Sequence, residues 1–129
     1  MLPTFPALVT GLALLLYVGV FVATGRARLR YRVQAPAVTG APQFERAFRI
    51  QQNTLEQLIW FVPALWLFAF YMSPLWGGII GLVWIAARIY YAFSYYRDPD
   101  TRGPGFVLGF ASAALLLIGG LVGIVAALL

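Results

Sequence analysis

The chain has 129 residues, of which 62% are hydrophobic and 10% charged, too apolar a composition for a water-soluble globule. It contains neither cysteine nor histidine, which excludes disulfides, thiolate metal sites and a protein-borne thiol nucleophile, and removes the commonest general base. Its nine basic residues are all arginine, against only four carboxylates, Glu45, Glu56, Asp98 and Asp100. The resulting net charge of +5 suits anionic ligands and lipid headgroups, because the planar guanidinium matches carboxylates and phosphates.

The expected fold is an all-α membrane protein, a bundle of four transmembrane helices at about 5–24, 43–72, 75–96 and 104–129, forming one domain over 1–129. The first stretch, Phe5 to Thr24, is uncharged and is preceded by no basic residue, unlike a signal peptide. Arg26 to Gln43 is basic and punctuated by Pro36, Gly40 and Pro42, and is expected as a surface loop. The second helix is longer than one bilayer core requires. Its first half holds two carboxylates, two arginines and several amides, so that half must face protein, water or ligand.

Ser73-Pro74 breaks the second helix, and Asp98-Pro99-Asp100 forces a turn before the fourth. Pro63 is expected to kink the second helix, and Gly119, Gly120 and Gly123 to permit close packing by the fourth. Trp60, Trp66, Trp76 and Trp84 read by default as interfacial aromatics. Six arginines flank the first loop and two the third, with none in the second. By the positive-inside rule the two charged loops are cytoplasmic and both termini lie on the opposite face of a bacterial inner membrane or an endomembrane.

Arg46, Arg49, Asn53 and Glu56 are spaced three, four and three, which places them on one stripe of the second helix. Arg88, Tyr91 and Tyr95 form a second stripe ending near Arg97 and Arg102 at the same depth. Two readings stand. Glu56 and Arg49 neutralise one another in an internal network that pins the helices, or the surplus arginines await an external anion. With neither histidine nor a carboxylate cluster, no metal site is expected.

The run from Phe44 to Glu56, with the pattern E-R-x-x-R-x-x-x-N-x-x-E, resembles the signature of the MAPEG family, membrane-associated proteins of eicosanoid and glutathione metabolism. Ala87 to Arg97 with Arg102, and Arg32 through Pro42, resemble the third-helix end and first loop of its leukotriene C synthase and microsomal glutathione transferase branch. The resemblance implies a homotrimer of four-helix subunits that binds glutathione as co-substrate at each subunit interface. Position by position, it assigns glutathione binding to Arg28, Arg49, Gln51, Asn53, Glu56, Tyr91 and Tyr95, and thiolate stabilisation to Arg102. The implied reaction is conjugation of the thiolate to a lipophilic electrophile from the bilayer, with lipid hydroperoxide reduction as a second activity.

The sequence departs from the family at Pro63, seven residues after Glu56 rather than about one turn, at Gln57, where that branch has an aromatic, and at Tyr91, where another branch has histidine. The same resemblance leaves a non-catalytic lipid-binding scaffold as the alternative function. A small multidrug transporter would require a carboxylate in the first helix, and none is there.

Overall fold

The computed structural model describes residues 2–129. It contains four long α-helices, α1 (Thr4–Tyr31), α2 (Pro42–Tyr71), α3 (Pro74–Arg97) and α4 (Gly103–Leu128), and a short 3-10 turn at Pro99–Thr101. All four are long and apolar enough to cross a membrane. α2 and α3 each pack against the three other helices. The exposed surface carries Leu15, Phe21, Phe93, Val107 and Ile118, side chains whose solvent is lipid.

α1 corrects the expected end of the first helix. It continues seven residues past Thr24 through Arg26, Arg28 and Arg30, part of the segment expected as loop. Arginine, alanine and leucine are good helix formers, and a single glycine at Gly25 is too small a cost to stop them. The helix ends where Arg32 turns left-handed at φ 57°, letting the N–H groups of Arg32 and Val33 both donate to the Arg28 carbonyl. The other three helices lie within a residue of the expected boundaries. Their ends are written in local chemistry: Pro42 and Pro74 in first turns, and a Ser73 hydroxyl that accepts from the Trp76 N–H at 3.2 Å.

Buried Val9, Phe61, Leu65, Phe68, Trp84 and Leu116 form the core, with Phe61 and Trp84 stacked 3.9 Å apart between ring centroids. Trp84 is therefore a packing residue, not a member of an interfacial belt. Because lipid tails are as apolar as leucine, close packing and interhelical hydrogen bonds hold such a bundle. Two bonds tie α1 to α2 at opposite ends: Thr24 Oγ1 donates to the Ala47 carbonyl at 3.1 Å, and Trp66 Nε1 donates to Thr10 Oγ1 at 3.0 Å. Gly119, Gly120 and Gly123 seat α4 against Phe68, Leu67 and Tyr71 of α2, so the expected close packing is present.

Candidate functional site

The polar stripes of α2 and α3 meet at the end of the bundle where the Asp98–Arg102 turn joins α3 to α4. Arg49, Asn53 and Glu56 line one cleft of about 210 Å³ with Tyr91, Tyr95 and Arg102. Asn53, Tyr91 and Arg102 also line an adjoining cleft of about 470 Å³, whose far wall is Asp100, Gly103 and Phe106. Six of the eight residues singled out by the resemblance thus share one space.

The turn that carries Arg102 is held at both ends. Asp98 Oδ1 accepts from the Asp100 N–H at 3.1 Å, and the Thr101 hydroxyl lies 2.7 Å from the Asp98 carbonyl and 3.1 Å from that of Ser94 in α3. Arg102 Nη1 donates to the Pro99 carbonyl at 2.6 Å, and its guanidinium carbon lies 5.6 Å from the Tyr95 ring centroid. Neither contact neutralises its charge. α4 begins beside it at Gly103, so the positive end of that helix dipole faces the same space.

Among the described residues no hydrogen bond or ion pair joins Arg49, Asn53 and Glu56 to one another, so the expected Arg49–Glu56 neutralisation is not formed within the chain. The Asn53 Oδ1 atom is buried without a partner. A cleft that presents cations, a carboxylate and a free amide oxygen is complementary to a ligand carrying both signs of charge.

Behind the cleft stands Arg88, only 1% exposed. Its Nη2 donates to Thr54 Oγ1 at 2.9 Å, its guanidinium carbon lies 4.1 Å from the Tyr91 ring centroid, and its Nε has no partner. α4 comes close enough to complete this corner because Gly105 has no side chain: a Cβ there would lie 2.8 Å from the Tyr91 backbone.

Two of the singled-out residues lie elsewhere in the chain. Gln51 is buried at 8% exposure and faces α1, its Nε2 3.4 Å from the Tyr17 hydroxyl. Adjacent helical residues are about 100° apart, and it is Gln52 that lines the cleft. Arg28 sits at a groove of about 810 Å³ formed by α1 and the first loop, where its Nη1 donates to the Ala37 carbonyl at 2.7 Å. Arg46 also leaves the stripe: its Nη1 donates to the Tyr96 carbonyl at 3.2 Å. Gln52, Asp100, Gly103 and Phe106 are lining residues that spacing alone did not single out; nearness of Asp100 and Gly103 to Arg102 in sequence was the available signal.

The chain is similar to several known proteins. The chain is 48% identical over 120 residues to an uncharacterized protein of Synechocystis, covering 93% of this chain and 88% of that one. It is 42% identical over 100 residues to human microsomal glutathione S-transferase 2, covering 78% of this chain and 68% of the relative. With leukotriene C4 synthase of Cavia porcellus the identity is 35% over 96 residues, 74% of this chain and 64% of the synthase. The profile of the MAPEG family matches residues 6–122, the whole of the bundle from the first turn of α1 into the last turns of α4, and the chain belongs to that family.

Proposed function

We propose that this protein is a membrane-bound glutathione transferase that holds glutathione in the Arg102 cleft as its thiolate and conjugates it to lipophilic electrophiles. The observation that carries the reading is the set of polar and charged groups gathered on one cleft, Arg49, Asn53, Glu56, Tyr91, Tyr95 and Arg102, with the Asn53 amide oxygen left without a partner. Arg49 and its neighbours suit the two glutathione carboxylates, and Glu56 the ammonium. Relatives named as a microsomal glutathione S-transferase and a leukotriene C4 synthase support the same chemistry.

In this mechanism the Arg102 guanidinium and the start of α4 favour the sulfur anion over the thiol, whose proton leaves to water. The thiolate attacks an electrophilic carbon; the new carbon–sulfur bond forms as a halide departs, or as an epoxide oxygen opens and takes a proton. With a lipid hydroperoxide as acceptor, sulfur attacks the terminal oxygen, the alkoxide leaves as an alcohol after protonation, and a second glutathione reduces the sulfenic acid to water and the disulfide.

Arg28 lies outside the cleft at the α1 groove, and Gln51 is buried against α1. In the proposed homotrimer the α1 face of a neighbouring subunit covers the cleft and brings its own Arg28 to the ligand. The charged loops are placed on the cytoplasmic side, with the electrophile entering from the bilayer between subunits.

The test is glutathione conjugation to a chlorodinitrobenzene by purified protein in detergent, with a lipid hydroperoxide as alternative acceptor. Arg102→Ala should keep glutathione binding, move the thiolate absorbance titration to higher pH, and slow turnover at saturating glutathione by about tenfold or more, the effect of one pKa unit. An unchanged titration with normal turnover would sink the assignment of Arg102 and move it to Arg97 or Tyr95. Glutathione bound without turnover on either acceptor would instead make the protein a binding scaffold.

A further inference from the structure

A second crevice opens at the same charged end of the bundle but between α1 and the start of α2, with Tyr96 of α3 at its edge, and it shares no residue with the Arg102 cleft. It measures about 330 Å³. Arg26 and Arg30, one turn apart on α1, line it with Arg46 of α2 and Tyr96 of α3, and the small side chains of Ala23 and Ala27 leave its floor clear. No carboxylate reaches it.

Three guanidinium groups in one crevice repel one another unless an anion lies among them. The bond from Arg46 Nη1 to the Tyr96 carbonyl orients that fork without cancelling its charge. The Tyr96 hydroxyl, meanwhile, is buried with no hydrogen-bond partner. Forked cations plus a spare hydroxyl are the donor set for phosphate oxygens.

Depth decides where the phosphate comes from. α1 carries no charge from Thr4 to Gly25, so Arg26 is the first charged residue beyond the apolar span. On α3, Phe93 and Ile89 stand three and seven residues before Tyr96, on the stripe that leads from the crevice toward the apolar middle of the helix. They are 65% and 41% exposed, a track for an acyl chain that a free inorganic anion would leave unused. We infer that this crevice binds the headgroup phosphate of an anionic phospholipid, with Arg26, Arg30, Arg46 and Tyr96 as its ligands.

The experiment uses purified full-length protein, delipidated in detergent and titrated with phosphatidylglycerol, phosphatidylcholine of the same chains, or inorganic phosphate, with retained ligand read by native mass spectrometry. Phosphatidylglycerol should be retained in preference to phosphatidylcholine. Arg26→Gln combined with Arg30→Gln should weaken that retention roughly 30-fold, given the contribution of each basic group facing an anionic surface. The charge-matched pair Arg32→Gln with Arg97→Gln, outside the crevice, should leave it near the wild-type value. Tyr96→Phe keeps the ring, drops the hydroxyl and should weaken retention severalfold, with circular dichroism and melting temperature verifying that each variant is folded. Equal retention of the two lipids, equal losses in the two arginine pairs, or inorganic phosphate binding as tightly as the lipid would overturn the inference. None of these readouts depends on glutathione, so failure here is distinct from failure of the transferase reading.

Discussion

Arg88 and Asn53 show what single residues contribute at the cleft. A buried guanidinium without a carboxylate partner is costly, and Arg88 persists because Thr54 accepts one of its donors while the Tyr91 ring faces its charge. Thr54 in turn donates to the Ile50 carbonyl at 2.7 Å, so its lone pairs point to the arginine. Thr54→Val keeps the shape but strands a buried donor, and should cost about 1–3 kcal/mol, read as a lowered melting temperature in detergent. Asn53 and Glu56 carry no such internal bond, so removing them should leave stability nearly unchanged. Asn53→Ala and Glu56→Gln should instead raise the glutathione Kd by roughly tenfold, the loss of one hydrogen bond to a charged ligand group, measured by calorimetry. If both lose thermal stability and keep their affinity, the groups serve folding rather than the ligand.

Among the elements, the contact of α4 with α3 decides whether the site closes. Gly105 lets the first turns of α4 lie against Tyr91, and Gly109 leaves room for the stem of Arg88, whose Cδ would be 3.3 Å from an added Cβ. Gly105→Ala must push the two backbones apart, because the atoms it would meet are main chain and cannot rotate away. The expected cost is about 1–3 kcal/mol, an overpacking effect, accompanied by weaker glutathione binding as Tyr91 and Arg102 separate. Gly103→Ala is the control: nothing lies within 4 Å of its added Cβ, and its melting temperature should stay close to wild type. Equal effects of the two substitutions would show that helix propensity, not the α3–α4 approach, governs the result.

For the whole molecule, the position of Arg28 is the informative fact. It lies at the α1 groove, while Arg102 lies at the α2–α3–α4 cleft, so the two arginines line separate cavities of the chain. If a neighbouring subunit supplies Arg28, Arg28→Ala and Arg102→Ala should each impair conjugation alone and complement one another when co-expressed. In a random equal mixture of a cyclic trimer about a quarter of interfaces carry both arginines, and activity should recover to that level. Mixed oligomers as inactive as the two parents would place both residues in the same chain's site. Detergent-corrected mass of the purified protein gives the subunit number independently.

Much of this molecule follows from local rules that the chain carries in order. Four apolar stretches, the prolines at Pro42 and Pro74 and the Asp98-Pro99-Asp100 turn place α2, α3 and α4, since hydropathy and backbone chemistry act within a few residues. Spacings of three and four put Arg49, Asn53 and Glu56 on one stripe and Tyr91 and Tyr95 on another, because the helical period is fixed by backbone geometry. Those spacings could not say which way a stripe turns. Gln51 faces Tyr17 while Gln52 lines the cleft, Arg46 leaves the stripe to reach the Tyr96 carbonyl, and Arg88 is buried against Thr54. The rotation of each helix about its axis comes from contacts between helices distant in sequence, such as Phe61 on Trp84, Thr24 on Ala47 and Gly105 against Tyr91. Sequence therefore determined the spans and the periodic polar stripes, and tertiary packing decided which of their side chains share a cleft, because helical periodicity is a local property and helix rotation is not.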